Sequence, residues 1–260
     1  MQRDESSCAG NVPEHADSSQ LLGLPAMVEC TPVVSGGSAA WQRPAPVSAT
    51  APGSRSDRQR TLDELSPGTY LLSGAAYTGR RDLALRFVSE PGRDSNAGIV
   101  ISPSDSAETV QTRLETLLAG AESDHSLAAT ASESADVFAN YGIIECESSH
   151  RDDECQHDGI QYARSPAALT TVGVRLTTQL QRLAARERET VRLSHLSLST
   201  VLMYTNLEMV VKFVSTLRSL LDEFDGTGVL VFNPAMHDDE AVETLSETVD
   251  GVIDVPGGSW

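Results

Sequence analysis

Lysine is almost missing from this chain: Lys212 is the only one in 260 residues. Basic residues of both kinds are few, 19 Lys plus Arg against 37 Asp plus Glu, for a formal charge of −18. A general nucleic-acid binder needs a basic footprint, so the charge argues against that class and nucleic acid is not an expected partner. A dispersed acidic surface whose bases are nearly all Arg points instead to a salt-adapted protein. In molar salt the screening length falls to about 3 Å, which removes the self-repulsion such a charge would otherwise cause. Cysteine is scarce as well. Cys8, Cys30, Cys146 and Cys155 make no disulfide framework for a chain of this length. No run of eighteen apolar residues occurs, so no membrane-spanning helix is expected. The short run at Leu21, Leu22 and Leu24 stops at Pro25, and no charged segment leads into an apolar one. No signal peptide is expected, which makes the cytoplasm the expected location.

What is present suits one α/β core with extras, since 40% of the residues are hydrophobic. Residues 1–60 are rich in Ser, Pro, Gly and Ala without sustained periodicity, the composition of a disordered tail. Trp41 and the apolar patch at 28–34 are its docking candidates. Arg55, Arg58 and Arg60 form a basic island, read as solvated linker or as a contact for an acidic partner. The ordered domain is expected over 61–256, followed by a short tail at 257–260. Leu62 and Leu65 mark a lead-in turn. Apolar runs at 69–73, 98–102, 141–146, 191–196, 228–232 and 251–255 predict six buried strands. Helical periodicity predicts helices over 81–89, 106–118, 166–188, 200–224 and 237–249, with residues 120–134 mostly loop. Alternating strands and helices imply a largely parallel sheet covered by helices on both faces.

Residues 68–87 organise this layout. They read as an apolar strand, a Gly-bounded loop and an amphipathic helix, the frame of a phosphate-binding loop G-x-x-x-x-G-K-[ST]. Gly74 and Gly79 stand at the required separation, but Arg80 and Arg81 replace the Lys and the hydroxyl residue. In a working loop, backbone N–H groups and the helix N-terminus hold the phosphates, the Lys bridges them and the hydroxyl ligates Mg²⁺. Arg80 supplies charge as a planar fork rather than as a compact ammonium, and Arg81 cannot ligate a cation. Both arginines are expected to contact phosphate, to be solvated, or to pair with acids such as Asp82.

With Pro67 and Gly68 leading into the strand, Gly74, Thr78 and Gly79 in the loop, and Leu83, Leu85 and Phe87 in the helix after it, residues 62–255 resemble the RecA/KaiC superfamily. Within it they resemble the degenerate KaiC-like proteins of halophilic archaea. The resemblance implies a RecA-like sheet and a nucleotide site at Gly74, Tyr77, Thr78, Gly79, Arg80 and Arg81. In this chain Ala76 stands for the loop's Pro and Tyr77 for its middle Gly, where Gly adopts positive φ and lets backbone approach phosphate. The family's second motif is an Asp before Ser-Leu-Ser. Ser197, Leu198 and Ser199 match, but Leu196 takes the place of the Asp and His195 is its neighbour. The paired glutamates expected after the second strand are replaced by residues 102–105, where Asp105 is a candidate acid or the N-cap of the next helix. Asp250 to Asp254 resembles the start of the superfamily's terminal strand.

Two further constellations carry metal-binding chemistry. Cys146, His150, Cys155 and His157, among Asp152, Asp153, Glu154 and Asp158, offer thiolate and imidazole to tetrahedral zinc, although an acidic loop is the preferred reading. His237, Asp238 and Asp239 follow a strand at the edge where ligands bind, or Asp238 or Asp239 begins the last helix. The functional expectation is a catalytically inactive RecA/KaiC-like domain, regulatory or protein-interacting, with a protein partner or self-association. The alternative is a divergent ATP-binding protein or weak ATPase. No cofactor is expected; ATP is the first alternative and zinc the second.

Overall fold

The computed structural model of the protein describes residues 47–50, 55–89, 96–122, 140–146, 159–185 and 190–256. The expected tail over residues 1–46 and the segment 257–260 lie outside the described residues, as does most of the predicted loop at 120–134.

The apolar runs become strands. These are β2 (Gly68–Ser73), β3 (Asn96–Ser102), β4 (Tyr141–Glu145), β6 (Thr190–His195), β7 (Thr227–Phe232) and β8 (Gly251–Asp254). Two more extend the sheet at its edges, β1 (Val47–Thr50) and β5 (Ile160–Tyr162). Among the described residues the order is β1-β8-β2-β7-β6-β3-β4-β5, and every pairing is parallel. A parallel sheet needs cover on both faces. Alternate side chains of each strand supply it, because successive residues point to opposite sides. Leu71, Ile99, Ile101, Leu193, Leu230 and Phe232 face one core, built with α4 (Leu169–Ala184), α5 (Leu198–Tyr204), α6 (Leu207–Glu223) and α7 (Asp239–Thr248). Tyr70, Leu72, Val100, Ile143, Val229 and Val231 face the other, built with α1 (Arg55–Asp63), α2 (Arg80–Ser89) and α3 (Ala107–Glu122).

Three expectations need correction. The segment expected to be tail up to residue 60 already holds β1 and α1. Leu62 is buried in the second core, and Arg58 of the basic island is 7% exposed rather than solvated. Arg192 holds α1 and α2 together by pairing with Asp63 (3.4 Å), donating to the Phe87 carbonyl (2.8 Å) and lying over the Phe87 ring (4.9 Å to its centroid). The single helix expected over 200–224 is two. Thr205 and Asn206 are extended, and the Asn206 side chain accepts the Met209 N–H at 2.9 Å, capping α6. Finally, Asp105 does not cap α3. Ser106 does, its Oγ accepting the Thr109 N–H at 3.3 Å.

The opposite end of the domain is tied by Asp250. Its carboxylate accepts the Thr69 N–H at 2.9 Å and pairs with Arg218 of α6, joining the start of β2 to the turn before β8.

Candidate functional site

All the paired strands run the same way, so Ser73, Ser102, Glu145, His195, Phe232 and Asp254 end their strands at one edge of the sheet. In open α/β sheets ligands bind outside this edge. The loop at 74–79 leaves it from β2 and enters α2, so strand, loop and helix follow one another as the motif requires.

The loop's shape needs its glycines. A Cβ on Gly74 would lie 2.5 Å from the Val255 carbonyl, where the chain leaves β8. Gly79 has φ +70° and the Leu83 N–H donates to its carbonyl at 2.9 Å, starting the helix ladder. Tyr77 also sits in the left-handed region, at φ +61°, with its side chain 96% exposed. A bulky residue there carries strain of about 1–2 kcal/mol. The Tyr77 side chain therefore points out into solvent rather than filling the loop.

Arg80 fills it. This residue is 8% exposed. Its Nε donates to Thr78 Oγ1 at 3.0 Å and its Nη1 donates to the Phe232 carbonyl at the end of β7. Its Cδ lies 3.2 Å from where a Gly74 side chain would begin. The Thr78 hydroxyl donates onward to the Ala75 carbonyl at 3.0 Å. Burial pushes the guanidinium pKa down to about 10, which leaves it charged at neutral pH. Arg81 turns the other way. Its Nη2 meets Asp105 Oδ2 at 2.6 Å and Ser104 Oγ at 3.1 Å, bridging α2 to the loop after β3. That loop is folded on Ser102, whose Oγ donates to the Asp105 carbonyl at 2.8 Å and accepts the Asp105 N–H at 3.1 Å. Asp82, the expected local partner of the arginines, lies 3.9 Å from Arg113 instead.

At the end of β6, Leu196 is buried where the resemblance places an acid, and its N–H donates to the Ile101 carbonyl at 2.9 Å. Ser197 caps α5 by accepting the Thr200 N–H at 3.2 Å. Ser199 Oγ accepts the Asn233 N–H at 2.9 Å, which pins the end of β7 to α5. The Ser-Leu-Ser stretch thus works as helix cap and tether. His195 is buried, its ring edge-on to Phe213 of α6 with centroids 6.0 Å apart. Its Nδ1 has no hydrogen-bond partner among the described residues, and burial pushes its pKa down to about 4.

One buried acid escaped the sequence reading. Glu145 ends β4 in register with Ser102, and its Oε2 accepts the Ala107 N–H at 2.6 Å, at the positive end of α3. Its signal was available in retrospect: a carboxylate closing an otherwise apolar strand. Beside it Cys146 is 1% exposed, and burial, then the Glu145 charge, raises its thiol pKa to about 12. His150, Cys155 and His157 lie outside the described residues, and no group of three or more potential metal ligands occurs among those described. At the other constellation, Asp238 caps α7 by accepting the Ala241 N–H at 2.9 Å. His237 stacks on the Phe232 ring at 5.2 Å, and burial lowers its pKa against the pull of Asp238.

A family model matches residues 67–255, from the lead-in of the loop strand to the end of β8. The chain belongs to the family of unknown function DUF7504. The match takes in every residue of the loop site and leaves out β1 and α1. No curated protein matches the chain. Among solved structures it is similar to the KaiC-like protein PH0186 of the hyperthermophilic archaeon Pyrococcus horikoshii OT3. The two share 13% identity over 73% of this chain and 72% of that one, with a TM-score of 0.46. No helix among the described residues of this DUF7504 member is long and apolar enough to cross a membrane.

Proposed function

We propose that this DUF7504 domain is a catalytically inactive RecA/KaiC-like module that regulates or binds another protein, or a second copy of itself, in the cytoplasm of a salt-adapted cell. The observation that carries the reading is the fate of Arg80. The side chain standing for the loop lysine is turned into the fold and held by the Phe232 carbonyl and Thr78 Oγ1. Phosphoryl transfer is mostly positioning and charge stabilisation, and here the groups that would do both are engaged elsewhere or replaced. Arg81 is paired with Asp105, and Leu196 offers no carboxylate for Mg²⁺. With catalysis gone, the remaining use of so regular a sheet is as a rigid platform for recognition.

Calorimetric titration with Mg-ATP in molar KCl, with phosphate release followed in parallel, tests the reading. Neither saturable heat nor release above buffer is expected. Micromolar binding together with turnover would establish the divergent ATPase instead. Metal analysis of untagged protein is expected to find less than one zinc per chain; one per chain would revive the set at Cys146, His150, Cys155 and His157. Salt adaptation predicts loss of far-UV helical signal on dialysis into dilute buffer, and an unchanged spectrum would contradict it.

A further inference from the structure

We propose that Arg80 is a built-in plug: its guanidinium closes the 74–79 loop in place of a phosphate group, and removing it opens the loop to a small polyanion. This rests on the reading of the native loop as one that turns over no nucleotide, and it adds the physical reason.

The plug is defined by what the side chain touches. Starting from the first residue of α2, its stem passes Gly74 and its two donating nitrogens reach Thr78 Oγ1 in the loop and the Phe232 carbonyl at the strand end. Ser73 and Phe232 are in register on β2 and β7, so the guanidinium sits over the ends of the strand that feeds the loop and its neighbour. A phosphate would be drawn to this place by the N-terminus of a ten-residue helix and by backbone N–H groups. The volume is already taken by a cation that is almost wholly shielded from solvent and therefore hard for an incoming anion to reach. Both of its acceptors are neutral oxygens, and each ties it to a different element. The Phe232 residue is gripped twice over, since His237 stacks on its ring while Arg80 holds its carbonyl. The second arginine is turned the other way, its Nη2 held by Asp105 and Ser104.

Removal of Arg80 has opposite consequences for a plug and for a ligand. If Arg80 were an anion ligand, Arg80→Ala would weaken binding, because a positive charge is lost. For a plug the same substitution strengthens it, and a gain made against the loss of a cation has no source but the vacated volume. Pyrophosphate is titrated calorimetrically into the full-length native protein and Arg80→Ala, both in molar KCl. The variant is expected to bind at least tenfold more tightly than the native chain; equal or weaker binding overturns the plug. On the native protein, the Arg80 Nε–H is followed by nitrogen-15 NMR. Slow exchange with solvent, and no shift on adding pyrophosphate, are expected. Fast exchange or a saturable shift overturns the proposal, and this measurement decides alone if Arg80→Ala does not fold. Turnover of Mg-ATP by the native chain would defeat the inactive-module reading, whereas failure of Arg80→Ala to gain affinity defeats only the plug.

Discussion

Acidification should weaken this fold through one imidazole. His195 lies at the end of β6 against Phe213, with burial the dominant influence on its pKa, which moves from an ordinary 6.5 to about 4. Above pH 6.5 the ring is neutral in both the folded and the unfolded chain and costs nothing. Between pH 6.5 and 4 the unfolded chain takes up a proton that the folded one refuses, so stability falls as pH falls. Below about pH 4 both forms are protonated and the loss levels off. The displacement corresponds to about 3 kcal/mol in all, a large share of the 5–15 kcal/mol typical of a domain. Urea unfolding of the native protein and of His195→Phe, measured side by side from pH 7.5 to pH 4, isolates the effect, because every other titrating group is common to the two. The native protein should lose about 3 kcal/mol more than the variant over that range. Parallel pH profiles would refute the reasoning, and would mean that His195 keeps an acceptor or water that lets it ionise in the fold.

Three other outcomes follow from the same geometry. Asn206→Ala removes the cap between α5 and α6 and should cost about 1 kcal/mol in denaturant unfolding, whereas one continuous helix over that stretch would gain from the change. Tyr77→Gly should raise stability by about 0.5–1 kcal/mol in thermal unfolding, since it releases left-handed strain at an exposed side chain. A fall would show that the tyrosine ring is held by contacts worth more than the strain. A double-mutant cycle on Arg81→Ala and Asp105→Ala should return a coupling of about 0.5–1 kcal/mol, reduced by the exposure of both groups and smaller still in molar salt. A coupling near zero in low salt would remove the bridge between α2 and the β3 loop.

The parts of the fold that were readable are those with strong local signals. The strands from β2 to β8, apart from β5, announce themselves as short apolar runs between turn residues, and the stripe Leu169, Val172, Leu176, Leu180 and Leu183 of α4 is buried along its whole length. The parts missed have weak ones. β5 is three residues long and carries Gln161 at its centre, and α1 is mostly polar, so neither period nor apolarity marks them. The break at Thr205 and Asn206 was hidden because apolar residues continue at helical spacing on both sides of it. Asp105 and Ser106 both suit a cap; which of them serves was settled by Arg81, twenty-four residues away from Asp105 and invisible to local reasoning.

The candidate site divides in the same way. Spacing along the chain was enough to place Gly74 and Gly79 around a loop between a strand and a helix, and to put Arg80 and Arg81 where the loop pattern carries Lys and a hydroxyl residue, because those are properties of neighbouring positions; that Leu196 stands in the place of an acid is what the resemblance to KaiC-like proteins implies. The direction in which Arg80 points was not knowable that way. Its acceptor, the Phe232 carbonyl, comes from a strand about 150 residues later that only the parallel pairing of β2 and β7 brings alongside. A long, flexible cation takes the shape of whatever oxygens surround it, and here those oxygens were assembled by the sheet.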